Sequence, residues 1–409
     1  MSYAGLTIRH AARNVLRQRR RAAVAIGAIG FGVIALILAG GFIEWIFWAT
    51  REGTIQAGLG HIHVALKGFR ERGSADLDRF RLPAESKLLD ALRADQSVRT
   101  VAPRTSFSGL ASFGETTLSF LGEGVDPAAE AKFGEAPFII DGEMLSPSDP
   151  AGLIVGYGLA ANLGVKVGDT VTLLTNVRGG GVNAVEARVR GLFASVSKAY
   201  DDSVLRAPLA LANQLTRSEG AHRWVVVLKR TEETGAAIER MRSSYPSSGF
   251  EFVPWYELAD FYTKTRDLLS RQMAVMFAII GVVIVLTISN SMMMSVMERT
   301  SEIGTAMALG TSRAGILSQF VTEGFVLGLV GGATGALLGV GLAALISVVG
   351  IPMPPPPGQA RAFTAEMIVT GPLVAKAFTL ALTTAMLAAI YPAWKASRTT
   401  IVDALRSGR

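Results

Sequence analysis

ERTSEIGTAMALGTSRAGILSQFVTEG, residues Glu298 to Gly324, stands between two apolar runs too long for the core of a soluble domain. The charged stretch is therefore a short loop at a membrane surface. Its paired charges and helical apolar spacing suit it to be gripped by a soluble partner.

Working outward, four stretches could cross a bilayer, which takes about 20 apolar residues at a rise of about 1.5 Å each. Residues 22–43 and 273–297 carry no charge, 324–350 is uncharged and glycine-rich, and 372–394 holds one charge, Lys376. Half of all residues are hydrophobic and 18% are charged, against about 25% in soluble domains. Mean hydropathy is +0.37. The first run exceeds the roughly 7–15 residues of a signal-peptide core and no convincing small-x-small cleavage site follows, so an uncleaved anchor is expected.

Lys and Arg close to the spans set orientation. Arg9, Arg13, Arg17, Arg19, Arg20 and Arg21 precede the first span without an acidic neighbour. Lys395, Arg398, Arg406 and Arg409 follow the last against Asp403 alone, while the loop between the third and fourth offers only Arg361. Both termini are expected in the cytoplasm of a bacterial cell, with the chain in its inner membrane. The expected fold class is a membrane protein of four transmembrane α-helices with a large α+β extracytoplasmic domain between helices 1 and 2. Its parts are a cytoplasmic basic segment (1–21), a first span (22–48), the extracytoplasmic domain with a helical stalk (49–268) and a second span (269–297). A cytoplasmic coupling loop (298–315), a third span (316–350), a proline-rich outer loop (351–371), a fourth span (372–394) and a tail (395–409) complete it. The net charge of +7 mostly reflects anchoring arginines, so nucleic acid is not an expected partner.

Between the first two spans, short alternating runs separated by turn residues read as strands: 61–66, 169–175, 183–192, 224–229 and a hairpin over 109–121 broken at Gly114-Glu115. Residues 153–162 turn from strand to helix, and 232–245 have helical periodicity. A mixed α+β domain, not a barrel, is expected. The first span can stay helical towards Gln56, and Leu258, Phe261, Tyr262, Leu268 and Leu269 keep helical spacing ahead of the second, which together predict a stiff stalk. The absence of cysteine excludes disulfides and thiolate metal sites. His61 and His63 share a strand face without an acidic or histidine cluster beside them, so surface strand residues and no metal site are expected. Arg178–Gly181 reads as a hairpin turn and 352–357 as a polyproline spacer. Glu44 and Lys376 fall at membrane edges and read as interfacial anchors. No nucleophile–base–acid set stands out, so no catalytic residue is expected.

Glu298-Arg299-Thr300-Ser301-Glu302-Ile303-Gly304, then Ala308-Leu309-Gly310, then Glu323-Gly324 resemble the FtsX/MacB superfamily of ABC-transporter permeases. Two further stretches are similar to it: Tyr391–Arg398 with Asp403–Arg406, and Leu121–Pro127 with Leu159 to Asp169. A single outer domain and the lack of a GxxxxGK[ST] motif make the chain most similar to the lipoprotein-releasing (LolC/LolE-type) permeases. The resemblance implies that this chain is not itself an ATPase and holds no cofactor, ATP and Mg being bound by an ABC ATPase subunit present in two copies. It also implies a second permease chain, in a homodimer or heterodimer, and a periplasmic carrier or adaptor as a further partner. Membrane lipids complete the expected partners.

The loop supplies the expected ATPase-coupling residues Glu298, Arg299, Glu302, Ile303, Gly304, Met307, Leu309 and Gly310. Read as one helix, it places Glu298 and Glu302 on one face at i,i+4, while Ile303, Met307 and Leu309 offer apolar contacts. Gly331, Gly335 and Gly339 form small-xxx-small steps, with Gly324, Gly328 and Gly332 on an adjacent stripe, and are expected to pack helices. Phe42, Ile43, Ile46, Met273, Met276 and Phe277 are the expected lining of a substrate groove between the outer halves of spans one and two. The expected function is the permease subunit of an ATP-driven ABC transporter. It would extract or export a lipidated or amphipathic substrate from the outer leaflet by mechanotransmission, as in lipoprotein release. The alternatives are a mechanotransmitter regulating an extracytoplasmic partner and an efflux permease working with a periplasmic adaptor.

Overall fold

The computed structural model describes residues 19–73, 77–133, 138–177, 180–195, 198–245, 249–353 and 363–400. Arg9, Arg13, Arg17, Arg178, most of the proline run, Arg361 and the tail residues Asp403, Arg406 and Arg409 lie outside them.

Helix α1 (Arg19–Thr54) runs without interruption, as a proline-free stretch allows. It passes into a π-helical turn, Ile55–Leu59, that ends through Gly58 at φ +123° and Gly60 at φ +68°. Both φ values lie where glycine is favoured.

Residues 49–264 form one unit. In chain order it contains β1 (Ile62–Leu66), α2 (Lys87–Ala94), β2 (Val98–Phe113), β3 (Thr116–Val125), α3 (Pro127–Glu130), β4 (Phe138–Gly142), β5 (Gly152–Gly156) and α4 (Tyr157–Leu163). There follow β6 (Thr170–Asn176), β7 (Val182–Ala194), β8 (Val204–Pro208), α5 (Leu209–Thr216), β9 (Arg223–Leu228), α6 (Thr234–Ser244), β10 (Phe250–Pro254) and α7 (Trp255–Leu258).

Strands run β10-β1-β9-β2, all antiparallel, with α2 joining β1 to β2 and α6 joining β9 to β10. This is a split βαβ layer. The two helices bury Leu88, Leu92, Ala237, Ile238 and Met241 against Val64, Trp224, Val226 and Phe252. Trp224 is fully buried and anchors that core.

The 16-residue β2 then continues into a second layer. Its hairpin with β3 turns through Gly114 at φ +58° and Glu115, the glycine-first arrangement of a type II′ turn. Here the expectation of a domain without a barrel is corrected. Strand β2 pairs with β3, β3 with β8, β8 with β5, β5 with β7, β7 with β6, and β6 returns to β2 at Leu110–Ser112. Six strands thus close on themselves around Phe107, Phe120, Leu173, Val189 and Leu205, with Leu159, Leu163, Leu211 and Leu215 from α4 and α5 in the same core. Closure gives each of the six strands a partner on both sides over part of its length.

The other unit is helical: α8 (Asp260–Glu298), α9 (Thr300–Ala308), α10 (Arg313–Val349) and α11 (Gly371–Ser397) join the first part of α1. Four of these helices, α1, α8, α10 and α11, are long and apolar enough to cross a membrane. Each runs past the span expected for it, α8 by starting at Asp260. One stripe of α10 meets α1: a Cβ at Gly335 would stand 2.7 Å from the Gly30 carbonyl oxygen, and one at Gly331 2.8 Å from Ile29. The other stripe meets α11, where a Cβ at Gly324 would stand 2.6 Å from that of Ala389 and one at Gly328 2.8 Å from that of Ala385. Close backbone approach of this kind is how helices associate in lipid, where apolar burial alone gives no preference for a neighbour.

Candidate functional site

The first site is the reversal between α8 and α10. Thr300 turns its hydroxyl back to the carbonyls of Val296 and Met297, 2.9 Å each. Arg299 leaves the helical region at φ −103°, ψ 13°. The loop is therefore two helices with a break, which corrects the single-helix reading: Glu298 ends α8 and Glu302 belongs to α9. Helix α9 stops at Gly310, whose φ of +97° carries the left-handed residue of a C-terminal cap. The cap's two bonds are Thr311 N–H to Ala306 O at 3.0 Å and Gly310 N–H to Met307 O at 3.1 Å. Ser312 accepts from Gly315 N at 3.1 Å and starts α10.

Arg299 fastens this reversal. Its guanidinium donates to Glu323 at 3.0 Å and Glu302 at 3.3 Å and lies 5.8 Å from the Phe320 ring centroid. Glu323 is 5% exposed. Glu298 is held by both terminal nitrogens of Arg21 on α1. The expected coupling residues thus divide in two. Ile303 and Gly304 are buried, so Ile303 does not offer the outward contact expected of it, while Met307 is half-buried against the helical core. Leu309 is 84% exposed and, with Glu302 and Thr305, forms the outward face. Glu323 was missed as a site residue. Its signal was a carboxylate at the start of an apolar span, where an ionisable group needs a partner.

The six expected groove residues lie on α1 and α8 with differing exposure. Phe42, Ile43 and Ile46 are half-buried on α1, where Phe42 stacks on Trp45 with centroids 6.1 Å apart. Met276 is half-buried, Met273 packs against the helical core, and Phe277 is buried in it. The structure opens an apolar cleft of about 370 Å³ elsewhere, between α8 and α11. Of the six groove residues only Phe277 lines it. Lys376 places Nζ 4.9 Å from the Phe277 ring centroid.

A third cluster lies inside the α+β unit. Glu123, in the LGEGVDP stretch, is surrounded by Arg104 (3.5 Å), Arg206 (3.1 Å) and Arg223, while Glu130 takes the Arg104 fork at 2.8 and 3.0 Å. All five side chains are buried or nearly so. Burial would raise the Glu123 carboxyl, but Arg104, Arg206 and Arg223 outweigh it and hold the group well below the usual carboxylate range. Gly58 faces this cluster: a Cβ there would stand 3.1 Å from Arg206 Nη2 and 3.3 Å from Arg104 Nη2.

His61 and His63 correct the expectation of surface strand residues. His61 is 4% exposed; its Nδ1 accepts from Leu228 N at 3.1 Å, and Nε2 lies 3.0 Å from Thr231 Oγ1. His63 Nε2 donates to the Leu59 carbonyl at 2.7 Å. Desolvation lowers the pKa of His61 to about 4 and, with help from Arg223, that of His63 to about 3. Unfolding frees both to take protons below about pH 6.5, so their stabilising effect is complete above that pH and is lost as pH falls towards the folded values. Lowering pH from 7 to 5 should destabilise the unit by about 1–2 kcal/mol per histidine. Thermal unfolding of the wild type and of His61→Gln/His63→Gln at both pH values checks this; the double variant should show a much flatter response.

A four-helix apolar unit with a fastened reversal, coupled in sequence to a large α+β unit, defines a polytopic membrane protein with an extramembrane domain. The MacB-like periplasmic core domain matches residues 22–244 and the FtsX-like permease C-terminal domain matches 274–401. The chain belongs to the FtsX/MacB family of ABC transporter permeases. An uncharacterized ABC transporter permease of Methanocaldococcus jannaschii is 29% identical over 216 residues, 51% of this chain and 52% of its own length. The pyoverdine export ATP-binding/permease protein PvdT of Pseudomonas savastanoi pv. phaseolicola is 39% identical over 146 residues, 35% of this chain and 20% of its own length. The chain thus spans about half the length of the first relative and about a fifth of the second. The periplasmic region of MacB from Actinobacillus actinomycetemcomitans is similar at a TM-score of 0.37 and 15% identity, over 50% of this chain and 92% of that one.

Proposed function

We propose that this chain is the membrane-spanning subunit of an ATP-driven transporter of a bacterial inner membrane, with ATP and Mg bound by separate ATPase subunits. The observation that carries this reading is the outward face of α9, Glu302, Thr305 and Leu309, backed by the pairing of Arg299 with the buried Glu323. A short helix with a fixed back and an exposed charged-apolar face suits insertion into a groove on an ATPase. The basic residues flanking α1 and α11 favour cytoplasmic termini and put α9 on the ATPase side. Two ATPase copies and a second permease chain, identical or a sibling, complete the assembly. Helices α1 and α8, which extend beyond their expected spans, would carry the ATPase stroke to the α+β unit.

The narrower reading is extraction of a lipidated or amphipathic substrate from the outer leaflet, as in lipoprotein release. It rests on the apolar outer parts of α1 and α8 and on the cost of withdrawing an acyl chain, about 0.8 kcal/mol per CH2, which calls for ATP. Efflux with a periplasmic adaptor is a second reading, favoured by the similarity to a pyoverdine export protein.

The test is copurification with a co-expressed ABC ATPase subunit, in lipid nanodiscs. Wild type should bind the ATPase and support ATP turnover, and Glu302→Lys and Leu309→Asp should each lose both. Unchanged binding and turnover in these variants would remove the main support for the reading.

A further inference from the structure

We infer that the cleft between α8 and α11 is a binding site for one acyl chain of an anionic membrane lipid, with Lys376 taking the headgroup. The inference rests on the membrane placement of the helices and holds independently of whether the chain couples to an ATPase.

The lining is Phe277, Ala278, Gly281, Val282, Val285 and Leu286 from α8, with Leu380 and Thr384 from α11. Its one side-chain hydroxyl is already spent: Thr384 Oγ1 donates to the Leu380 carbonyl at 2.6 Å. A dry cleft without polar partners is poor for water and good for hydrocarbon.

Gly281 keeps the cleft open, and packing does not require it to be glycine. A Cβ there would meet Thr384 Cγ2 at 3.5 Å and Leu380 Cδ1 at 3.9 Å, ordinary contacts, unlike the collisions at Gly328 or Gly335. The space is therefore not the by-product of a helix crossing that excludes side chains.

Length and charge name the occupant. From Phe277 to Leu286 the lining climbs about 13 Å of helix, close to half of the roughly 30 Å hydrocarbon core, so it matches one leaflet. Lys376 stands in the second turn of α11, its Nζ beside the Phe277 ring at one end of the lining. A single cation at the mouth of an apolar slot of leaflet depth complements a lipid of net negative headgroup, whereas a zwitterionic headgroup carries its own cation beside the phosphate and gains little from it.

Native mass spectrometry of the purified full chain, titrated with phosphatidylglycerol or phosphatidylcholine, tests the site. Wild type should retain one phosphatidylglycerol in preference to phosphatidylcholine. Lys376→Gln should weaken phosphatidylglycerol by about fivefold, the worth of one cation at a lipid surface, and leave phosphatidylcholine unchanged. Gly281→Trp should abolish the bound lipid, while Gly281→Ala, which fits the space, should keep it and so controls for folding. Because the chain has no cysteine, Val285→Cys provides a single thiol for crosslinking to a diazirine-bearing acyl chain. Equal lipid binding in wild type, Lys376→Gln and Gly281→Trp would overturn the inference. So would disulfide-linked dimers of Val282→Cys under mild oxidation, which would assign the cleft to a helix of a second copy.

Discussion

Glu123→Ala should lower the thermal midpoint of the α+β unit by about 10 °C or more. The substitution removes the common partner of Arg104, Arg206 and Arg223 and leaves Glu130 as the carboxylate paired with this cluster among the described residues. Breaking a buried ion pair from one side costs about 3–5 kcal/mol, and a domain of this size shifts by about 2–4 °C for each kcal/mol. A protein typically has about 5–15 kcal/mol in total, so the loss is large. Differential scanning calorimetry measures it. Adding Arg206→Met to Glu123→Met should recover part of the midpoint, because a buried charge leaves together with its partner. If the double variant were no better than the single one, lost packing and not stranded charge would be the cause. The same carboxylate sets an acid limit distinct from that of the histidines. Its depressed pKa stabilises the fold above the unfolded carboxyl value, and this is lost as pH falls below about 4.3.

Glu323→Gln should release α9 from the helical unit. Arg299 donates to Glu323 at 3.0 Å, and its remaining carboxylate partner, Glu302, is more than half exposed. Hydrogen bonds to charged groups contribute about 1.5–3 kcal/mol, so the closed position of α9 should lose at least about tenfold in population. Thiol labelling reads this directly, because Ile303 is 6% exposed and Leu309 is 84% exposed. Ile303→Cys should label slowly alone and about tenfold faster with Glu323→Gln, whereas Leu309→Cys should label quickly in both backgrounds. An unchanged Ile303→Cys rate would show that apolar packing of α9, and not the Arg299–Glu323 pair, holds the reversal.

Much of the architecture was readable along the chain. The four apolar runs gave the membrane helices, since in lipid each helix must satisfy its backbone internally and so announces itself locally. Gly114 marked a hairpin turn, because its φ demand is met most readily by one residue type at one place. Residues 153–162 read as strand then helix and fold as β5 and α4. The histidines misled for the opposite reason. His61 and His63 alternate like surface residues, yet they meet Thr231 and the carbonyl of Leu59 in the turn before β1, and alternation says which face a residue takes without saying what covers it.

By itself the sequence determined the number and place of the membrane helices, the α+β character of the unit between the first two, and the charged loop that joins the second to the third. These follow from properties carried by neighbouring residues: hydropathy over a bilayer's width, period, and the φ demands of glycine. Tertiary structure alone decided that six strands close on themselves and that Arg104, Glu123, Glu130, Arg206 and Arg223 meet. It alone turned Ile303 inward and opened the cleft between α8 and α11. Each of those outcomes joins residues far apart in the chain, and pairing across such distances depends on the packing of whole layers, which no local pattern records.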